Sequence, residues 1–281
     1  MNNFLDDFIK NAIKEDIGDG DHTSLACVPE TAKGRLKLLV KQEGIIAGVA
    51  VAHKILKAFD KDIVFEQKII DGTKVAVGDV VFIVEGKTQV LLQAERLLLN
   101  VMQRMSGIST TTNIYVQTIA GTKAKILDTR KTTPNVRFLE KEAVKIGGGE
   151  NHRFGLFDMV MIKDNHVDFA GGITQAVARV QKYLQEKNKT LKIEVEVRNF
   201  EELAEALSIN GIDRIMLDNF SVKDTYKAVE VVQNKVELES SGGITLDTIR
   251  AYAETGVDYI SVGALTHQIK SLDLSLKAID V

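Results

Sequence analysis

A chain of 281 residues with 44 % hydrophobic and 27 % charged residues has enough apolar material for one large domain or two modest ones. Its formal net charge of −3 excludes a general nucleic-acid binder, so any anionic ligand has to be held by a local cluster of cations. The one cysteine, Cys27, cannot form an intrachain disulfide, which fits a reducing compartment. The opening MNNFLDDFIK has acidic residues where an export signal needs basic ones, and no segment approaches the roughly 18 apolar residues of a membrane span. The expectation is a soluble cytoplasmic protein with no nucleic-acid or membrane partner.

In chain order, Phe4 to Glu15 carries apolar residues at helical spacing, and Gly34 to Ile46 alternates loosely as a strand does. Val49 to Phe59 predicts a helix. Asp71-Gly72 and Val77-Gly78-Asp79 then punctuate short valine-rich strands. From Gln89 to Met105 the pattern is helical and strongly apolar. After residue 110 the rhythm changes. Six strand-length apolar runs follow: AKILD, DMVMI, KIEVEV, RIMLD, KVELES and YISVG. Helical segments at Ile173 to Leu184, Phe200 to Leu207, Val222 to Val232 and Leu246 to Thr255 alternate with them. The later strands begin about 20 to 25 residues apart, the spacing of one βα unit. Short β-branched runs predict a parallel sheet buried on both faces. No GxGxxG follows the first of these strands, so an incomplete barrel is favoured over an open dinucleotide-binding sheet.

Polar residues close nearly every one of these strands. Asp128-Thr129-Arg130-Lys131 ends the first and Lys163-Asp164-Asn165-His166 the second; Glu194 and Glu196 lie within the third. Asp218-Asn219 ends the fourth, Ser240-Ser241-Gly242-Gly243 the fifth, and Gly263 the sixth. In a βα barrel those ends share one rim, where catalytic loops are found. Arg130, Lys131 and Lys163, joined by His152 and Arg153 from the loop GGGENHRFG, would repel one another without an anion, so the ligand is expected to be polyanionic. The Ser-Gly-Gly and Val-Gly-Ala turns at the last two strands suit a phosphate held by backbone N–H groups. Glu196 and Asp218 within a cationic rim suit sugar hydroxyls, a divalent metal carried on a diphosphate, or a cationic transition state. Blander readings stand beside these. An Arg-Lys pair is often a solvated loop, His166 and His267 can serve as caps, and the glycines at 147–149 can be a linker.

The strings EDIGDGDHTS, AERLLLNVMQRMSGIST, DTRKTTP, GGGENHRFGLFDMVMIKDNH, EVEV, LDNF, LESSGGI and ETGVDYISVGALTH occur in this order across nearly the whole chain. Together they resemble the quinolinate phosphoribosyltransferases. The resemblance implies an α/β protein: an N-terminal open-faced α/β sandwich over residues 1–110, an incomplete α/β barrel of type II phosphoribosyltransferase architecture over 111–267, and a tail, 268–281, returning to the first domain. It implies phosphoribosyl transfer from phosphoribosyl pyrophosphate to quinolinate with decarboxylation, a step of NAD synthesis, with Mg2+ arriving on the donor. It also implies a homodimer with shared active sites, and in some cases higher oligomers. By matching motif positions, Arg96 would bind a substrate carboxylate in the partner's site. Thr129, Arg130, Lys131, His152, Arg153 and Lys163 would hold quinolinate and the diphosphate. Glu196 and Asp218 would contact the ribose or its metal, and Ser241, Gly242, Gly243 and Gly263 would grip the 5-phosphate. Lys163, Glu196 and Asp218 are the candidate catalytic set. The competing readings are a phosphoribosyltransferase acting on nicotinate, a Schiff-base aldolase using Lys163, and a non-catalytic carrier or binding module in the N-terminal segment.

Overall fold

In the computed structural model, which describes residues 2–279, the elements follow in chain order. They are α1 (Asn2–Ile17), α2 (His22–Cys27), β1 (Lys33–Val40), β2 (Gly44–Ile45), α3 (Val49–Phe59), β3 (Val64–Gln67), β4 (Lys74–Val75), β5 (Val80–Lys87) and α4 (Thr88–Thr118). Then come β6 (Lys125–Leu127), α5 (Arg137–Ile146), β7 (Val160–Ile162), α6 (Asp164–Ala170), α7 (Ile173–Glu186), β8 (Ile193–Val197), α8 (Phe200–Leu207) and β9 (Arg214–Asp218). The chain closes with α9 (Val222–Val232), β10 (Glu237–Ser241), α10 (Ile249–Glu254), β11 (Tyr259–Ser261), α11 (Ala264–His267) and β12 (Leu274–Ala278). Contacts divide the chain into two units. One combines residues 1–113, 132–148 and 265–281; the other combines 114–131 and 149–264.

The first unit is built on an antiparallel sheet in the order β12-β1-β5-β3. Alternation in β1 turns Leu38 and Val40 to the covered face, where they meet Phe82 and Val84 of β5. Ala52 and Leu56 of α3, and Leu91, Leu98 and Met102 of α4, complete that core. β12 pairs antiparallel with β1, Leu276 opposite Leu38, so the last strand of the chain forms an edge of this sheet.

Two features depart from the sequence reading. Helix α4 continues past Met105 to Thr118, through a serine- and threonine-rich run beyond the apolar pattern. The hydroxyls are used rather than exposed: Ser106 Oγ accepts from Ala47 N–H, and Ser109 Oγ donates to the Ala143 carbonyl. The second feature is α5, which belongs to the first unit although the sequence boundary put it in the barrel. Arg104 of α4 reaches Glu140 of α5 at 2.6 and 2.8 Å, Asn113 reaches the Gly147 carbonyl, and Glu140 is 1 % exposed. Paired charges of this kind hold α5 against α4, a preference that helical periodicity does not record.

The second unit is a six-stranded parallel sheet in the order β6-β11-β10-β9-β8-β7. Strands β7 to β11 follow chain order, with β6 beyond β11. A doubly wound sheet reverses its order midway; this one does not, so its crossovers fall on one side and it curls as a barrel does. Strands β6 and β7 do not pair, and the outer side of β6 meets only an isolated bridge from Leu127 to Glu150. The barrel is therefore incomplete.

Its interior holds a buried ionic cluster beside apolar residues such as Met216. Arg214 Nη1 lies 3.1 Å from Glu239, Nη2 lies 3.4 Å from Glu237, and the guanidinium sits 3.9 Å from the centre of the Tyr259 ring. Burial opposes the charge on Arg214, but Glu239, Glu194 and Glu237 outweigh it and raise its pKa. Glu194 and Glu239 are both 0 % exposed. Burial pushes each from an ordinary 4.5 to about 7. Arg214 pulls both down, and repulsion from Glu194 adds to the rise at Glu239.

Two outcomes are expected. Gly107 of α4 packs so closely that a Cβ there would lie 2.3 Å from the Lys270 carbonyl. Gly107→Ala should cost about 1–3 kcal/mol through overpacking, read as a lower denaturant midpoint. The buried glutamates hold protons in the folded barrel that they release when unfolded at the same pH. Their contribution is fully present below pH 4.5 and is lost as pH rises to about 7. Glu239→Gln should flatten that slope in urea titrations run from pH 4.5 to 8, and an unaltered slope would remove Glu239 as a source of it.

Candidate functional site

A strand's end is fixed by its direction, so the parallel sheet carries its C-terminal residues to one rim. At the end of β6 stand Asp128, Thr129, Arg130 and Lys131. Asp128, 0 % exposed, accepts the His152 backbone N–H at 2.9 Å and donates its own N–H to the Glu150 carbonyl at 3.2 Å. These bonds lay the glycine-rich loop alongside β6. Thr129 Oγ1 accepts the Lys131 N–H, and the side chains of Arg130 and Lys131 are exposed. Arg153 follows His152 and is partly buried. Burial lowers its pKa, and the charge of Arg130 lowers it further. Two guanidiniums held this close are poised for an anion.

Lys163 closes β7 and forms an ion pair with Glu196 of β8, whose side chain is 8 % exposed. His166 accepts the Lys163 N–H at Nδ1 and so caps the short helix α6. Asp218 closes β9 opposite Ser241 of β10, and its carboxylate accepts from Asn219 Nδ2 at 2.8 Å. Asn219 N–H donates to the Ser241 carbonyl, which ties the two strand ends together. Gly242 has φ +96°, and a Cβ there would lie 2.2 Å from Asn219 Oδ1. A side chain is excluded by strain and by space, leaving a bare backbone suited to phosphate. Gly263 follows β11 at the same rim.

The barrel unit thus brings together every candidate except Arg96, which lies exposed on α4 of the first unit. His152 is the most enclosed of the candidates on the glycine-rich loop. It is 8 % exposed, and its ring points inward: Nε2 lies 3.0 Å from Glu194 and 3.5 Å from Glu239, and Nδ1 accepts the Arg153 N–H at 2.7 Å. It lies behind the cationic rim rather than on it. Sequence reading passed over Arg214 and Glu239. A signal was present, since Arg214, Met216 and Asp218 share one parity in β9, as Glu237, Glu239 and Ser241 do in β10. Residues on the parity of a rim group face the same interior.

His152, Glu194 and Glu239 offer ligand atoms within 4.8 Å of one another, a spacing that can hold a metal ion. Arg214, 3.1 Å from the same Glu239 oxygen, already supplies the positive charge there, and a divalent ion would be repelled by it. The rim carboxylates Glu196 and Asp218 are better placed for hydroxyls or for a cation that arrives with a substrate.

The whole rim therefore has cations for a polyanion, bare glycines for a phosphate, and two carboxylates between them. Comparison with known proteins gives the family. Residues 21–106 match the family model "Quinolinate phosphoribosyl transferase, N-terminal domain", and residues 108–277 match "Quinolinate phosphoribosyl transferase, C-terminal domain". The chain is 44 % identical over 284 residues to quinolinate phosphoribosyltransferase [decarboxylating] 1 of Nicotiana glauca, an alignment covering 96 % of this chain and 81 % of the relative. The solved nicotinate-nucleotide pyrophosphorylase from Francisella tularensis is 41 % identical, with a TM-score of 0.92 and coverage of 99 % of this chain and 97 % of that one. NadC from Streptococcus pyogenes is 37 % identical, also at a TM-score of 0.92, with 98 % and 97 % covered. The chain belongs to the quinolinate phosphoribosyl transferase family, to which both its sheet and its barrel match.

Proposed function

We propose that the barrel rim transfers the phosphoribosyl group of phosphoribosyl pyrophosphate to quinolinate with loss of carbon dioxide, giving nicotinate mononucleotide and diphosphate for NAD synthesis. The observation that carries this reading is the sorting of charge at the rim. Arg130, Lys131, Arg153 and Lys163 surround the ends of β6 and β7, whereas Gly242 and Gly243 lie at the end of β10. Glu196 and Asp218 end the strands between β7 and β10. A dicarboxylate suits the first group, a 5-phosphate the glycines, and a ribose the carboxylates between. Magnesium enters as part of the donor, bound to its diphosphate.

The chemistry follows from charge. The ring nitrogen of quinolinate attacks C1 of the ribose, the bond from C1 to the diphosphate oxygen breaks, and the leaving oxygen keeps the electron pair. Positive charge develops on the ribose, where Glu196 or Asp218 stabilises it, while lysine and arginine stabilise the departing diphosphate. The alkylated ring nitrogen is cationic. When the bond to the 2-carboxylate breaks, its electrons remain at C2 beside that nitrogen, and a proton from water completes the product. Transfer therefore precedes decarboxylation.

Arg96 acts across the interface of a homodimer, binding a quinolinate carboxylate in the partner's site. Its exposure on α4 supports that role. The pairing of Lys163 with Glu196 favours this reaction over a Schiff-base aldolase. The number of cations favours a dicarboxylate over nicotinate. A cytoplasmic location accords with the single cysteine, Cys27, which is exposed, and no helix among the described residues is long and apolar enough to cross a membrane.

Product analysis with quinolinate, phosphoribosyl pyrophosphate and magnesium should yield nicotinate mononucleotide and carbon dioxide in equal amounts; equal turnover of nicotinate would sink the assignment. Lys163→Ala and Arg96→Ala should each lose about 100-fold or more in turnover, the scale of a lost charge-assisted contact. Mixing the two inactive variants should restore part of the activity, because one site of a mixed dimer is intact. No recovery after demonstrated subunit exchange would argue against a shared site.

A further inference from the structure

Behind the cationic rim, side chains from three strands converge on one loop residue. His152 Nε2 lies between Glu194 of β8, at 3.0 Å, and Glu239 of β10, at 3.5 Å. Its backbone N–H is held by Asp128 at the end of β6. Its Nδ1 accepts the backbone N–H of Arg153 at 2.7 Å. Because Nδ1 is an acceptor, the proton of the neutral ring sits on Nε2, facing the two carboxylates. Glu239 is anchored in turn by Arg214 at 3.1 Å, and Arg214 stacks on Tyr259. A continuous line of contacts runs from Tyr259 through Arg214, Glu239 and His152 to the backbone of Arg153.

Glu194 and Glu239 are both 0 % exposed, so neither can touch a ligand at the rim. An apolar layer would fill the same space without the cost of burying polar groups away from water. Such a layer could not orient an imidazole. We infer that Glu194 and Glu239 are positioning residues for the anion site: they fix the ring of His152, and through it the backbone from which the Arg153 guanidinium projects. What Arg153 binds rests on the proposed function; how it is held rests on these contacts alone.

The role separates from simple structural support by which kinetic constant moves. Displacing a binding group weakens the ligand it holds. Glu239→Ala should raise the KM for quinolinate about tenfold, equivalent to about 1.4 kcal/mol, with less than about a threefold change in the KM for phosphoribosyl pyrophosphate. Glu239→Gln should recover most of the loss, since its carboxamide oxygen can still face Nε2 and the Arg214 guanidinium. A KM for quinolinate equal to wild type in folded Glu239→Ala, or equal losses in the alanine and glutamine variants, would overturn the inference. If the alanine variant does not fold, nitrogen-15 NMR of wild-type His152, assigned by its loss in His152→Gln, decides. The expected pattern is a protonated Nε2 and an acceptor Nδ1; a proton on Nδ1 overturns the inference. Absence of quinolinate turnover by the wild-type protein would instead remove the proposed function and leave the ring-proton result to stand by itself.

Discussion

A parallel sheet leaves a protein no choice about where its strand ends go. Every strand of the second unit points the same way, and the order β7-β8-β9-β10-β11-β6 keeps chain neighbours from β7 to β11 beside one another. Residues far apart in sequence, from Asp128 to Gly263, therefore meet at one end without needing individual placement. The same directionality sets the interior. On each strand the residue two before a rim group faces the same side, so the functional rim stands on a layer of side chains whose character the strand sequences decide. Here that layer carries Glu194 and Glu239 among methionines, with Arg214 one step deeper.

Nearby carboxylates explain why the rim can hold so many cations. Arg153 is partly buried and close to Arg130, an arrangement that is unfavourable by itself. Carboxylates offset it: Glu194 and Asp158 act on Arg153, and Glu196 lies against Lys163. The positive field is strong enough to attract a polyanion and compensated enough for the barrel to fold around it. His152 sits where the two layers meet, with its ring in the lower one and its backbone beside the upper.

Much of the barrel was legible because buried parallel strands are short, apolar and regularly spaced. All six runs became strands, and α8 and α9 begin and end where periodicity placed them. What escaped has a common cause. Helix α4 outran its apolar pattern because Ser106 and Ser109 bond to backbone carbonyl and amide groups of distant segments. The segment containing α5 changed units because Arg104 and Glu140 meet in space. His152 is buried with its ring against Glu194 and Glu239 of two distant strands, which the string does not show. Each depends on a partner remote in sequence, and periodicity is a local measure. Glu239 and Arg214 were readable from strand parity once Ser241 and Asp218 had been chosen, because parity is local too.

The pairing of β12 with β1 has a bearing on how the protein is made. The first unit gathers three separated stretches of chain, and its sheet lacks an edge strand until residues 274–278 emerge from the ribosome. The barrel strands β6 to β11 lie entirely upstream of that point. Assembly during translation therefore runs against the usual order, in which the N-terminal domain is finished first. The early half waits with Leu38 and Val40 incompletely covered, the stage at which a chaperone or a neighbouring nascent chain would find it.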